Sequence, residues 1–335
     1  MKFYKMIFTL TMMAGTLITI SSYSWVSMWM GLEINLLSII PLLKSSDNKF
    51  PVEATFKYFI TQSMASTMFL FSMILNFNLI EQMNSFSNSL INLIFYSSIL
   101  TKIGAAPFHA WFPEVLEGLS WSKCFIMLTL QKIAPMIIML QNFKLNSLMF
   151  LIIVISSFTG SILGLNQISM RKIMAYSSIN HISWMLASMS STKMIWMIYF
   201  LIYTLITLVI VYSLNFSKIY FLHQMSSYKM NKITNLMMNI NFLSMGGLPP
   251  FLGFFPKWLT INFLIWNNNY LIALILILST LIYLFIYTRI IFSSMTLLNT
   301  KMKIQELIKP KFSIMMINFL IMISLMICPL IFNYT

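Results

Sequence analysis

The chain has 335 residues, of which 59% are hydrophobic and only 8% charged, and it carries seven acidic side chains in all. So few charges cannot cover a soluble domain, which leaves an all-α, multi-spanning integral membrane protein as the fold class. The net charge of +14 then reads as membrane topology and contact with anionic phospholipid, and not as nucleic-acid binding.

Other compositional signals point the same way. Cys124 and Cys328 fall on different segments and suggest neither a disulfide framework nor a metal site. No CxxC, HExxH, P-loop or GxGxxG pattern occurs, so no cofactor or metal is expected on this chain. Met, Ile, Phe, Asn and Lys are abundant while arginine occurs only at Arg171 and Arg289, the pattern of an AT-biased genome such as a mitochondrial one. The start, Met1-Lys-Phe-Tyr-Lys, lacks a convincing cleavage site downstream and is expected to be an uncleaved first helix.

Apolar runs bounded by turn residues or charge predict about eleven spans. They fall near 3–20, 25–43, 54–78, 89–113, 121–141, 148–168, 172–189, 194–215, 233–266, 270–293 and 311–332. Together they form one membrane domain over 1–335. The connections support this layout, because sixteen lysines and arginines fall on the N-terminal side and only Lys144 and Lys193 on the other. Such a bias is the expected positive-inside signature.

The fourth and ninth spans are interrupted by related sequences, Gly104-Ala-Ala-Pro-Phe-His-Ala-Trp-Phe-Pro113 and Gly247-Leu-Pro-Pro-Phe-Leu-Gly-Phe-Phe-Pro256. Without gaps they share Gly104/Gly247, Pro107/Pro250, Phe108/Phe251, Phe112/Phe255 and Pro113/Pro256. Paired interruptions at matching places of a polytopic chain point to a transport site between repeats. Their separation by an odd number of spans predicts two inverted five-helix repeats, 3–141 and 148–293, with discontinuous fourth and ninth helices and an extra C-terminal helix over 311–332.

Three lysines remain inside apolar segments, Lys102, Lys132 and Lys257, and Glu33 lies mid-span in Trp29-Met-Gly-Leu-Glu-Ile-Asn35. A charge at bilayer depth costs on the order of 3 kcal/mol, so such groups are rare and usually functional. Pro107 deprives the Ile103 carbonyl of its helical donor, so the first half-helix should end near Lys102, with free carbonyls beside it. Lys257 follows Pro256 near the positive start of a second half-helix. Lys132 precedes Pro135, which loosens the backbone beside another ammonium. Lysine can gain and lose a proton when desolvated whereas arginine cannot, and no arginine stands in these segments. His109 stands seven residues after Lys102, and His181 is flanked by hydroxyls in Ser177-Ser-Ile-Asn-His-Ile-Ser183; neutral imidazole suits a relay. The blander readings are packing kinks for the prolines, snorkelling for Lys132, a satisfied interior histidine for His181, and interface charges for Glu114 and Glu117.

Lys102-Ile-Gly-Ala-Ala-Pro-Phe-His-Ala-Trp-Phe-Pro-Glu-Val-Leu-Glu-Gly118 closely resembles the signature of the antiporter-like, proton-translocating subunits of respiratory complex I. The likeness extends over essentially the whole chain, through Trp29–Asn35, Arg171-Lys-Ile-Met-Ala-Tyr-Ser-Ser-Ile-Asn-His181 and Gly246–Lys257, and the short form is similar to the animal mitochondrial members. The resemblance implies that Glu33 pairs with Lys102, and that Lys132, Lys257, His109 and His181 continue a polar axis that relays protons. It implies that NADH, FMN, iron–sulfur clusters and ubiquinone are handled elsewhere in the complex, with other membrane-arm subunits as partners. It further implies the mitochondrial inner membrane, with the N-terminus in the matrix and the C-terminus in the intermembrane space. Where many antiporter-like relatives have an acidic distal residue this chain has a lysine, which leaves the exit route open. A stand-alone cation/proton antiporter and a non-transporting scaffold subunit are the competing readings.

Overall fold

The computed structural model describes residues 3–44, 49–78, 85–143, 145–227, 232–249 and 251–295. The expected last span, 311–332, and Pro250 lie outside these residues. Among the described residues all regular structure is α-helical, apart from one isolated bridge between Ser169 and Phe221. The chain divides into two compact units, Met1–Ile152 and Ile153–Thr335.

The first unit contains α1 (Phe3–Ser21), α2 (Trp25–Leu43), α3 (Lys49–Asn78), α4 (Ser85–Ile103), α5 (Trp111–Gly118), α6 (Trp121–Leu128) and α7 (Leu130–Gln141). Ser24 starts α2 by accepting the Ser27 N–H at 3.3 Å, which satisfies one of the donors a helix start leaves open. α1 and α2 lie backbone to backbone because two glycines meet. A Cβ on Gly31 would stand 2.9 Å from the Gly15 carbonyl oxygen and 2.5 Å from Thr19 Cγ2. In lipid, where apolar side chains gain nothing by leaving one apolar solvent for another, such close approach supplies the association. α6 and α7 are two parts of the stretch expected at 121–141, broken at Thr129, whose hydroxyl donates to the Phe125 carbonyl at 2.7 Å.

α8 (Ser147–Leu165) crosses the boundary between the units. The second unit continues with α9 (Met170–Met189), α10 (Lys193–Ser217), α11 (Leu222–Ser227), α12 (Lys232–Gly246), α13 (Phe254–Trp266) and α14 (Tyr270–Met295). α9 is its centre. Nearly every side chain from Met170 to Met189 is buried, including Ser177, Ser178, Asn180, His181, Ser183 and Ser188. A helix that faces protein on all sides can carry polar groups that a lipid-facing helix cannot.

The outer surface is apolar: Phe56, Phe71, Leu201, Leu271, Leu281 and Phe285 are all more than half exposed. Seven stretches among the described residues are long and apolar enough to cross a membrane, and Leu90–Ile103 is a shorter apolar one. Hydroxyls along the spans turn back on their own helix, as Thr16 does to the Met13 carbonyl at 2.8 Å, so few polar groups meet lipid unsatisfied.

Cations gather at helix ends within each unit. Lys123 donates to the Leu43 carbonyl at the end of α2 at 2.7 Å, and Lys5 lies near enough to repel it. In the second unit Arg289 donates to the carbonyls of Leu165 and Gln167 at 2.7 and 3.2 Å, which satisfies the end of α8. Arg171 stacks over Tyr220 at 5.0 Å.

Candidate functional site: buried lysines at two helix breaks

Among the described residues the two interruptions begin, turn and end at matching positions. α4 ends at Ile103 and α12 at the matching Gly246. The next residue in each case is a glycine with positive φ, +79° at Gly104 and +77° at Gly247. That left-handed turn closes a helix at little cost only with glycine. The second half-helices then begin at matching places, Trp111 for α5 and Phe254 for α13. Trp111 fastens the first break by donating its indole N–H to the Thr101 carbonyl at 3.1 Å.

Lys102 stands in the last turn of α4, and Lys132 in the first turn of α7. Both are buried, at 8% and 2% exposure, so neither side chain reaches outward to a headgroup region. They line a single small cavity of about 20 Å³ in the first unit, enough for about one water. Its other polar walls are Asn35, Tyr58, Gln62 and Gln131. These form a linked set: Tyr58 donates to Gln131 Oε1 at 3.1 Å, and Gln131 donates to Asn35 Oδ1 at 2.9 Å. Gln62 donates to the free Lys102 carbonyl at 3.5 Å. The Lys132 ammonium sits 5.1 Å from the centre of the Phe112 ring, a cation–π contact supplied by the residue that follows the break. Glu33 is half-buried on α2; no ion pair joins it to Lys102 among the described residues, but its carboxylate acts on that ammonium through space.

Lys257 occupies the first turn of α13, the positive end of that helix, as expected. Its long side chain nevertheless reaches back across the break and donates to the Gly246 carbonyl, the last of α12, at 2.8 Å. The ammonium thus meets the negative end of one half-helix while its Cα belongs to the positive end of the other. A Cβ on Gly247 would stand 2.8 Å from Lys257 Nζ, so this turn must be glycine both for its φ and for the lysine's passage. The ring of Trp184 lies 5.7 Å from the same ammonium.

His181, one turn before Trp184 on α9, bonds through Nδ1 to the Tyr199 hydroxyl at 2.9 Å. It lines a second small cavity, of about 10 Å³, with Tyr203, Ser244, Gly253 and Pro256, all within the second unit. His109 lies apart from both cavities, half-buried on the turn between α4 and α5, where its Nδ1 faces the Pro107 carbonyl at 3.3 Å. Glu114 is exposed and pairs with Lys57 at 2.8 Å, which in turn meets Glu53 at 3.0 Å. No group of three or more metal-ligating side chains occurs among the described residues.

Sequence reasoning singled out the lysines and Glu33 but not Tyr58, Gln62 or Gln131. A glutamine directly before Lys132, in an otherwise apolar span, was the one available signal. Tyr199 and Tyr203 were also passed over, although two tyrosines four residues apart share a helix face.

A polytopic bundle of apolar exterior, with lysines enclosed at two glycine-closed helix breaks, defines an integral membrane protein built to hold ionisable groups at depth. Comparison with known proteins makes this specific. The family model described as NADH:quinone oxidoreductase/Mrp antiporter, TM matches residues 22–283, and the chain belongs to that family. NADH-ubiquinone oxidoreductase chain 2 of Anopheles gambiae is 48% identical over 289 residues, covering 86% of this chain and 84% of its own length. The protein of the same name from Locusta migratoria is 42% identical over 328 residues, 96% of this chain and 94% of its own. Among solved structures, a chain of respiratory complex I from Thermus thermophilus with bound aureothin shares the fold with a TM-score of 0.86 at 20% identity, over 98% of this chain and 78% of that one.

Proposed function

We propose that this chain is a core membrane-arm subunit of a respiratory NADH:ubiquinone oxidoreductase and takes part in the proton translocation coupled to its electron transfer. The observation that carries the mechanism is the enclosure of Lys102 and Lys132 around one water-sized cavity. Two ammonium groups so close to one polar space repel each other, so a proton gained by one favours release by the other. Glu33 holds the proton on the Lys102 side, and Lys257 with His181 continues the path in the second unit. His109 belongs to the same relay. The chain brings no redox centre of its own; NADH, FMN, iron–sulfur clusters and ubiquinone act elsewhere in the complex.

The architecture that serves this function has about eleven spans, arranged as two inverted five-helix repeats and one further helix. Matching helix ends, turns and helix starts at the two breaks support it. The protein works in the mitochondrial inner membrane, its N-terminus on the lysine-rich matrix side and its C-terminus in the intermembrane space. Its partners are the neighbouring membrane-arm subunits and anionic phospholipid, cardiolipin included.

Lys102→Ala and Glu33→Ala test the relay. Each should lower protons pumped per NADH while the complex assembles and oxidises NADH; a normal ratio in both variants rejects the mechanism. The family's Mrp side keeps an antiporter reading in view, and purified protein in liposomes that exchanged sodium or potassium for protons would favour it over a subunit role.

A further inference from the structure

The cavity at the first break is walled by hydrogen-bond donors. Lys102 is 8% exposed and Asn35 3%, so each is more than nine-tenths enclosed, and both line the cavity of about 20 Å³. Among the described residues neither the Lys102 ammonium nor the Asn35 N–H₂ donates to any group. The amide oxygens beside them are engaged. Gln131 Oε1 accepts from Tyr58 at 3.1 Å, and Asn35 Oδ1 accepts from Gln131 at 2.9 Å. With its oxygen held by Gln131, what Asn35 has left to offer the cavity is a pair of donors.

Charge points the same way. Lys132 lines the same cavity, its ammonium 5.1 Å from the centre of the Phe112 ring. When Lys102 and Lys132 are both protonated, the wall carries two positive charges. The carboxylate that acts on Lys102 is Glu33, through space and without an ion pair among the described residues. One negative charge at a distance leaves one positive charge unbalanced, and an enclosed charge is stable only when it is paired. A water in this space would be neutral and would need acceptors for its own hydrogens. A monovalent anion only accepts, and it restores neutrality. The space suits about one water-sized particle, which admits a halide and excludes bulkier anions such as sulfate or gluconate.

We infer that the cavity bounded by Lys102, Asn35 and Lys132 binds one small monovalent anion of chloride size, with the Lys102 ammonium and the Asn35 amide as its direct donors. Bound there, it is the counter-ion that lets both lysines be cationic at once. The inference goes beyond the proton-translocating reading and does not need it. Binding belongs to the doubly protonated cavity, whether or not its protons move on, and no covalent bond is made or broken.

Bromide is the probe, read by anomalous scattering from crystals of the assembled oxidoreductase in sodium bromide, with sodium gluconate as the reference. Asn35→Asp is the variant, because it keeps the oxygen that accepts from Gln131 and puts a carboxylate oxygen where the N–H₂ stood. A bromide peak between Lys102 Nζ and the Asn35 amide, with occupancy at least about tenfold lower in Asn35→Asp, supports the site. Bromide at exposed lysines alone, an adventitious ion only, overturns it, and so does an equal peak in the variant. Should Asn35→Asp fail to assemble, Lys132→Met is read instead. Removing one of the two positive charges should also lower the occupancy about tenfold, and an unchanged peak overturns the site. Protons counted per NADH in Lys102→Ala keep the two readings apart. A reduced ratio there, with no bromide in the unsubstituted cavity, overturns the anion site and leaves the relay standing. A bromide peak beside a normal ratio supports the site and overturns the relay.

Discussion

Replacing Lys132 by methionine separates a proton-carrying role from a structural one. The side chain is 2% exposed, and its ammonium lies 5.1 Å from the centre of the Phe112 ring. Holding an ammonium at that depth costs about 3 kcal/mol. The aromatic face returns about 0.5–2 kcal/mol of this. Methionine is of similar length, fills irregular space well and forfeits both contributions. Lys132→Met should therefore stabilise the folded unit by about 1–2.5 kcal/mol. In the same complex it should reduce the protons pumped per NADH. Lys132→Arg is the companion variant, since it keeps the charge but cannot release its proton; it should pump as poorly as the methionine variant without the gain in stability. Denaturation of the purified complex and proton counting in vesicles read the two quantities separately. A methionine variant that pumps normally refutes the relay at this residue. One that is destabilised shows that the ammonium holds the unit together.

Three further outcomes follow from the packing. Gly253→Ala should cost about 3 kcal/mol or more and abolish pumping, because the new Cβ would collide with the Ser244 carbonyl oxygen; Gly246→Ala, whose Cβ would meet Tyr287 at an ordinary 3.4 Å, should be neutral within about 1 kcal/mol. Both are read by assembly on native gels together with proton counting, and equal behaviour of the two would refute the contact argument. Gly31→Ala should weaken the docking of α1 on α2 by about 1–3 kcal/mol, since its Cβ would press on the Gly15 carbonyl at 2.9 Å; cross-linking between the two helices would detect the separation. Tyr58→Phe removes the hydrogen bond to Gln131 and should cost about 1 kcal/mol, measured by denaturation of the complex.

The sequence made the breaks legible because their causes are local. Pro107 forbids the continuing helix, and Gly104 and Gly247 permit the left-handed turn that the structure shows at both places. Mid-span lysines were equally plain, because charge is scarce everywhere else. The partners were not legible. Tyr58 and Gln131 are 73 residues apart, and Gln131 and Asn35 are 96 apart. No periodicity within one helix announces such pairs. α9 shows a further reason. Its run at 172–189 is legible as a span, yet it carries so many polar residues that it does not count among the seven stretches apolar enough to cross a membrane. It is nonetheless the most enclosed helix of its unit, because apolarity in a membrane protein marks contact with lipid, while polarity marks contact with protein.

The two breaks also show how unlike positions can serve like chemistry. Lys102 precedes its glycine turn and Lys257 follows the matching one, and the residue that aligns with Lys257 in the first break is Glu114, which is spent on an exposed pair with Lys57. The first break needs no lysine after the turn, because Lys102 already stands at the carbonyl end of α4. The second break lacks a lysine before its turn, and Lys257 reaches back to the carbonyl end of α12 instead. Each break thus has a buried lysine at the carbonyl end of its first half-helix, Lys102 by its place in the last turn of α4 and Lys257 by its bond to the Gly246 carbonyl. If that shared environment is what matters, moving the charge should be tolerated. Met245→Lys, which aligns with Lys102, should restore part of the pumping lost in Lys257→Met. A double variant no better than the single one would show that the position of the ammonium on α13, and not its place at the break, determines the activity.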